Sequence, residues 1–546
     1  MTSSALVVLK RKQKRRFYEP IVLFKALTEI THEEGSLGLP EAPPRPQTEE
    51  QRFHQFVHKL AGVCDSTKGG KTVTSFAVLE HEDRFVYVFG CNQVCSLDLV
   101  KTQKFVTELL ETLSGFHQLG EAAQGSVRRA VLEMILAFNM PRLDIYLKSF
   151  KGQLEECLQF CKHQKDQIAA AAVGEGLEVL GDAIAEIAFK GLDESEYLSS
   201  YNRFLQALNV FLTPQTKGFV DERALRGRIR DGRSFECWSE LRHNLSRLRH
   251  YQSVVQDFID AEKEWPELFQ EVEVIPIPSS KADPNPLGRK SEIADAIIGR
   301  MEHDNSRQER YRGFAVELQR MQFDARIQKQ CQRDSFNPFV HSEILVLEWV
   351  TANASRLELS FFHGWKYIGS SKGACRLCHY YFETPGQHSG IKTRSSHGNL
   401  YVNWRFPDLY EDDGPEGKAR RQEIFNWMMN RVRDDAFQTM ESKASTGKRH
   451  DSSTHTLMSV RHTDAQTDVG ARDLADLDEL GEQFERGLNL DDSLTTDSVE
   501  DSGSDDDEEG GPVSSDVAYE EGNESYFAMF NVLMSHISCI SVLSRL

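Results

Sequence analysis

His341-Ser342-Glu343 and, farther along, Cys375-Arg376-Leu377-Cys378 are the stretches on which the fold and chemistry of this chain turn. One imidazole and two thiolates are three of the ligands a catalytic zinc takes, with its fourth position left open. A carboxylate two residues from the imidazole can carry protons on and off a water in that position. His341 and Glu343 begin a helical pattern whose apolar face is Ile344, Leu345, Leu347 and Val350. Cys375 and Cys378 stand three apart at the next helix start, so their sulfurs share one face, and the amide-rich end favours thiolate. Between them the order is helix (343–349), strand (361–369), then helix from Cys375.

Other fates exist for such residues. A lone Cys-x-x-Cys also occurs as half of a structural zinc site or as two ordinary cysteines. A structural site needs a fourth protein ligand, and His379, His388 and His397 are the nearby candidates.

Working back towards the start, Phe53, Phe56, Val57, Leu60 and Val63 recur at helical spacing. Two β-type runs follow, 72–79 and 85–89, joined by the charged turn His81-Glu82-Asp83-Arg84. Gly69-Gly70-Lys71-Thr72 imitates the end of a phosphate-binding loop. Asp65 stands where that loop needs its first glycine, and here a helix leads into a strand, the reverse of the required order. A glycine turn entering a hairpin is the better reading. Residues 97–269 are helical throughout. Phe105, Leu109, Leu113 and Phe116 form one apolar stripe, and Leu241, Leu245, Leu248, Tyr251, Val255 and Phe258 another. Pro276, Pro278, Pro284 and Pro286 break this region off, and helical pattern resumes at 293–297 and 314–327.

Towards the end, Ile424, Trp427, Met428 and Val432 predict a last amphipathic helix. From Ser442 onward Ser, Asp, Thr and Glu dominate, and disorder is expected. Residues 526–543 are apolar again, but Asn531, Ser535 and His536 interrupt them, favouring a docking segment or an unstructured end over a membrane anchor.

The bulk numbers set bounds. Hydrophobic content of 39% over 546 residues implies a globular body diluted by polar sequence. Residues 491–524 hold fourteen Asp and Glu and no Lys or Arg, so the net charge of −20 falls to −6 for the remainder. A nucleic-acid partner is neither supported nor excluded by that balance. Lys10, Arg11, Lys12, Lys14, Arg15 and Arg16 fit a nuclear import signal, a phosphate-binding arm or, most commonly, a solvated tail; a loop marked by Pro40, Pro43, Pro44 and Pro46 follows. Ten cysteines without a disulfide framework, and a start that is the reverse of a secretory signal, predict a reduced compartment, cytoplasmic or nuclear.

Residues 341–407 resemble the fungal branch of the Orientia-type deaminases, within the cytidine deaminase-like superfamily. The resemblance is carried by His341-Ser342-Glu343, Tyr367-Ile368-Gly369-Ser370-Ser371-Lys372, Cys375-Arg376-Leu377-Cys378, Thr393-Arg394-Ser395-Ser396-His397-Gly398, Leu400-Tyr401 and Trp404. It covers under a fifth of the chain. Ala374 stands where many superfamily members have proline. The resemblance implies zinc held by His341, Cys375 and Cys378, Glu343 as the proton carrier, and hydrolytic loss of ammonia from a nucleobase.

It also implies the order helix, strand, strand, helix with H-x-E, strand, helix with C-x-x-C, then further strands. The expected fold is α/β: a three-layer core, a mixed sheet between helices, split by a large all-α insertion that flanks the pocket. The divisions expected are a basic tail (1–16), the first part of the deaminase domain (17–95), the insertion (96–334), the second part (335–440), a disordered acidic region (441–525) and an apolar end (526–546). Asn92, Arg394 and His397 are candidates for substrate contact. Each also has an ordinary fate: strand-end turn, surface ion pair and loop cap. Tyr401, Trp404 and Phe406 either stack on a base or pack behind the sheet. The partner expected is a nucleotide or nucleic acid. The alternative is a catalytically silent member that binds a protein through the insertion.

Overall fold

Strand composition and alternation explain how the core is divided. The computed structural model describes residues 5–30, 46, 48–163, 168–187, 193–227, 236–288 and 292–444. In it, β1 (Thr74–Glu80) and β2 (Phe85–Cys91) form an antiparallel hairpin, paired from Thr74 opposite Cys91 to Glu80 opposite Phe85. Both are rich in β-branched and aromatic residues, which suit a strand buried on two faces. The turn is closed by His81 N–H donating to the Arg84 carbonyl at 2.9 Å.

Four further strands complete the sheet among the described residues. β3 (Val272–Ile277) runs parallel to β2 on its outer edge. β4 (Ser360–Phe361) and β5 (Tyr367–Ser370) pair antiparallel with the other edge of β1, and β6 (Lys392–Thr393) lies parallel to β5. The order is β3-β2-β1-β5-β6, with β4 beside β1. Segment 53–92 therefore shares a sheet with 361–369, as expected.

Successive side chains point to opposite faces, and the core divides accordingly. Phe76, Val78, Tyr87, Phe89 and Cys91 face one hydrophobic cluster; Ala77, Leu79, Val86, Val88 and Ile368 face the other. The first face is covered by α2 (Glu49–Cys64). Thr48 caps that helix, its Oγ1 accepting from Gln51 N–H while the Gln51 side chain accepts from Thr48 N–H. At Gly369 a Cβ would meet Val57 Cγ1 at 2.7 Å and His58 N at 2.8 Å, so only glycine lets α2 lie this close to β5.

The same cluster continues into α3 (Ser96–Leu113), α4 (Glu121–Phe138), α5 (Met140–His163), α6 (Ile168–Ile187), α7 (Glu194–Phe211), α8 (Pro214–Gly227) and α9 (Glu236–Glu264). Both predicted stripes are buried in it, the first on α3 and the short turn after it, the second on α9. The second face carries α1 (Arg11–Thr28), α10 (Ala294–Met301), α11 (Asn305–Leu318), α12 (Phe323–Gln332), α13 (Ser342–Asn353), α14 (Arg376–Phe382) and α15 (Gly414–Ala444).

Four expectations need correction. The 96–334 region is not all helical, because β3 belongs to the sheet. Pro276 can sit there since an edge strand has one side on which no donor is required. The bundle α3–α9 packs on the face opposite α13 and α14, rather than beside the motif helices. The basic cluster is not a free tail: it opens α1, where Lys14 pairs with Asp283, and Arg15 with Glu19 and Glu292. The 361–369 strand is interrupted by a tight turn at 362–364, where His363 has φ 48°. The helix ending the described part runs to Ala444. Pro40, Pro43, Pro44, the acidic region from 445 and the apolar end lie outside the described residues.

Candidate active site

Local structure brings the motif residues to one point. Residues 338–340 run extended beside 403–405, with Phe339 N–H donating to the Asn403 carbonyl at 3.1 Å and Arg405 N–H to the Phe339 carbonyl at 3.0 Å. The chain then turns into α13 with His341 as its N-cap. Cys375 is the N-cap of α14, and its Sγ accepts from Cys378 N–H at 3.4 Å. In the turn before it, a Cβ on Gly373 would meet the Ser395 carbonyl at 2.7 Å, so glycine is what lets segment 393–398 close over this turn.

His341 Nδ1 lies 3.6 Å from Cys375 Sγ and 3.4 Å from Cys378 Sγ. The three ligand atoms are all within 4.8 Å of one another and the residues are buried. Zinc bonds of about 2.05 Å to nitrogen and about 2.3 Å to sulfur place these atoms about 3.6 Å apart at the tetrahedral angle. Donor set and spacing therefore fit zinc. Trp404 Nε1–H donates to Cys378 Sγ at 3.1 Å, the kind of outer contact that holds a thiolate in place. Burial opposes charge on Cys375, but its hydrogen bond with Cys378 and the neighbouring His341 outweigh burial and hold its thiol well below the ordinary range.

Glu343 is buried beside this group. Burial lifts its carboxyl above the usual range, partly offset by His341. The Ser342 hydroxyl reaches Glu343 Oε2 at 3.4 Å and Ser75 Oγ, on β1, at 2.8 Å. Ser342 N–H donates to Asn92 Oδ1 at 2.8 Å, while Asn92 Nδ2 donates to the Gly70 carbonyl at 2.9 Å. β1 and the bend just after β2 thus pin the start of α13. Both ends of the Asn92 amide are engaged by backbone.

Arg394 Nη1 donates to the Ser371 carbonyl at 3.0 Å, and His397 Nδ1 accepts from Asn399 N–H at 3.0 Å. Both stand on the segment that pairs with the turn before Cys375 through Ala374 and Ser396. The three histidines considered as a fourth ligand lie elsewhere among the described residues. His379 pairs with Glu383, His388 stacks on Tyr381, and His397 meets the Tyr401 ring edge-on. None joins the ligand group. Trp404 and Phe406 are buried in the core and offer no stacking face.

Sequence reasoning did not single out Ser75, Ser342, Phe339 or the Trp404 indole as neighbours of the metal ligands. Ser342, the middle residue of the motif, carried a signal in being polar at a buried helix start.

A family model described as OTT_1508_deam-like deaminase matches residues 340–408. Over that segment the chain is similar to a deaminase domain. The segment contains all three ligand residues, Glu343, Arg394 and His397, whereas Asn92 and Ser75 come from outside it. No curated protein matches the chain, and no solved structure does. Among the described residues no helix is long and apolar enough to cross a membrane.

Proposed function

We propose that this chain is a zinc-dependent hydrolytic deaminase acting on a nucleobase in a nucleotide or nucleic acid. The observation that carries the assignment is the convergence of His341, Cys375 and Cys378 at tetrahedral spacing with Glu343 buried alongside. A zinc ion bound there would supply an acidified water in its fourth position. Glu343 is placed to carry two protons in turn, one from the attacking water to the ring nitrogen and a second from the hydroxyl newly added to the ring carbon to the leaving amine, so that the C–N bond breaks as ammonia departs. Ser342 holds Oε2 of that carboxylate, and Ser75 and Asn92 fix the helix start that carries it. Arg394 and His397, on the segment over the Cys375 turn, are proposed to contact a phosphate or a base edge.

The pairing of β1 with β5 supports a domain assembled from two parts of the chain, with α3–α9 inserted between them. The block from Thr393 to Gly398 with Leu400, Tyr401 and Trp404 supports the fungal branch of the Orientia-type deaminases.

The test is zinc content and ammonia release for wild type and Glu343→Gln over a pool of nucleosides, nucleotides and single strands. Equal zinc with ammonia release lowered about 10²–10⁴-fold is expected from loss of one proton-transfer group. No ammonia from the wild type on any member of the pool would replace this assignment with that of a silent deaminase fold acting as a binding module.

A further inference from the structure

We propose that Arg142, on α5 of the inserted bundle, is a positioning residue that sets the geometry of the candidate active site through Asp65. This rests on the deaminase assignment and adds to it a role for the bundle. Helices α3–α9 lie across the sheet from α13 and α14, yet the end of α2 brings the two sides together. Asp65 terminates α2 and is buried there. Arg142 Nη1 lies 2.7 Å from Asp65 Oδ2 and donates to the Asp65 carbonyl at 2.7 Å and the Thr67 carbonyl at 3.4 Å. Its Nε donates to the Tyr146 hydroxyl at 2.7 Å, which steadies the guanidinium on α5. Close by, Asn139 Nδ2 donates to the Val63 carbonyl at 2.9 Å, so two side chains of the bundle grip one helix end.

From Asp65 two routes lead to the site. In the first, Thr72 Oγ1 donates to Asp65 Oδ1 at 2.7 Å and accepts from Thr67 N–H at 3.0 Å, closing segment 65–72 into a loop. Gly69 and Gly70, at φ 104° and 82°, let its tip fold back. That tip offers the Gly70 carbonyl to Asn92 Nδ2 and the Lys71 carbonyl to Gln93 N–H, each at 2.9 Å. Asn92 Oδ1 in turn holds Ser342 N–H, at the start of the helix that carries Glu343. In the second route, the Ser371 hydroxyl donates to Asp65 Oδ2 at 3.5 Å, and the Ser371 carbonyl receives Arg394 Nη1 at 3.0 Å. A buried carboxylate stripped of its cation must take up water or a proton, and either one loosens the groups it holds. Both routes start at Asp65, so the Arg142 cation governs them together.

The experiment uses the full chain as wild type, Arg142→Met, Arg142→Lys, Asp65→Asn, the double variant Arg142→Met with Asp65→Asn, and Arg128→Met. Each is checked for zinc content and melting temperature. Arg128, buried in the same bundle against Gln256 and Phe116, is the control. Amide hydrogen exchange is followed at Thr67, Gln93 and Ser342, and kcat/KM for ammonia release on the best substrate of the pool. Arg142→Met should quicken exchange at all three by about tenfold or more, the equilibrium shift that loss of one charged hydrogen bond brings. Its kcat/KM should fall by up to about 10²-fold, the cost of roughly 1 Å of misplacement, with zinc content unchanged. Arg142→Lys keeps a cation for Asp65 and should recover most of both; it decides the matter if Arg142→Met does not fold. The double variant should be no worse than either single one, because the two residues act through each other. Arg128→Met should lower the melting temperature alone. Unchanged exchange or unchanged kcat/KM in Arg142→Met would overturn the proposal while leaving the deaminase assignment intact. Losses that multiply in the double variant, or equal effects from Arg128→Met, would overturn it too. If the wild type releases no ammonia, the deaminase assignment fails, and the exchange series still decides whether Arg142 holds these segments.

Discussion

Ser342 does more than separate a ligand from a carboxylate. Its hydroxyl bridges Ser75 Oγ and Glu343 Oε2, and its amide is held by Asn92. Ser342→Ala should keep zinc, because no ligand is touched, yet leave Ser75 Oγ buried without its partner. That omission destabilises by about 1–3 kcal/mol, and the loosened Glu343 should lower kcat with KM little changed. Metal analysis with steady-state kinetics checks both halves. At this scale the grouping of the candidate ligands His341, Cys375 and Cys378 with Glu343 was legible in the chain, because metal chemistry restricts residue types and spacing so tightly. Ser75 and Phe339 are joined to them only through space, and a serine on a strand or a phenylalanine before a helix carries no such restriction in its type.

Among the elements, β3 shows why a strand can hide. Val-Glu-Val-Ile-Pro-Ile alternates as a strand should, but Pro276 followed by Pro278 reads as a break. The edge position removes the contradiction, since a missing donor on the outer side breaks no ladder. Helices α2, α3 and α9 were plain from periodicity, because burial of a whole stripe leaves its period in the sequence, whereas the hairpin β1–β2, buried on both faces, showed in its β-branched and aromatic composition. The turn into α14 makes a sharper demand. Gly373→Ala would drive a Cβ into the Ser395 carbonyl, so either the turn or the segment 393–398 must shift. The expected result is weaker zinc retention against a chelator than in wild type, with the helical content by circular dichroism unchanged.

At the level of the whole molecule, the sheet separates two cores of different purpose. One joins α2 to the bundle α3–α9; the other holds the candidate metal ligands, α1 and α10–α15. Their burial has a consequence for acid stability. His388, stacked on Tyr381, is pushed down to about 4, mainly by burial and further by Arg420, with Glu348 pulling the other way. It is neutral when folded and takes a proton near its ordinary value of 6.5 when unfolded. The unfolded chain therefore binds the extra proton, and stability is full above that value and declines as pH falls towards 4. By about pH 5 the loss from this group is on the order of 2 kcal/mol. Thermal unfolding at neutral pH and at about pH 5 should show a smaller drop for His388→Phe than for wild type. An equal drop in both would show that His388 contributes nothing to acid sensitivity.

The pairing of Ser75 with Ser370 also sets a timetable for synthesis. One side of β1 has no strand to bond until the ribosome has passed the whole bundle and the H-x-E helix. At ~5–20 residues per second that wait lasts roughly a quarter of a minute to a minute. During it, a nascent hairpin rich in phenylalanine and valine offers an open hydrogen-bonding edge to any other chain. A product cut short before residue 360 keeps that edge permanently, so premature termination inside this reading frame should yield aggregates rather than a folded fragment.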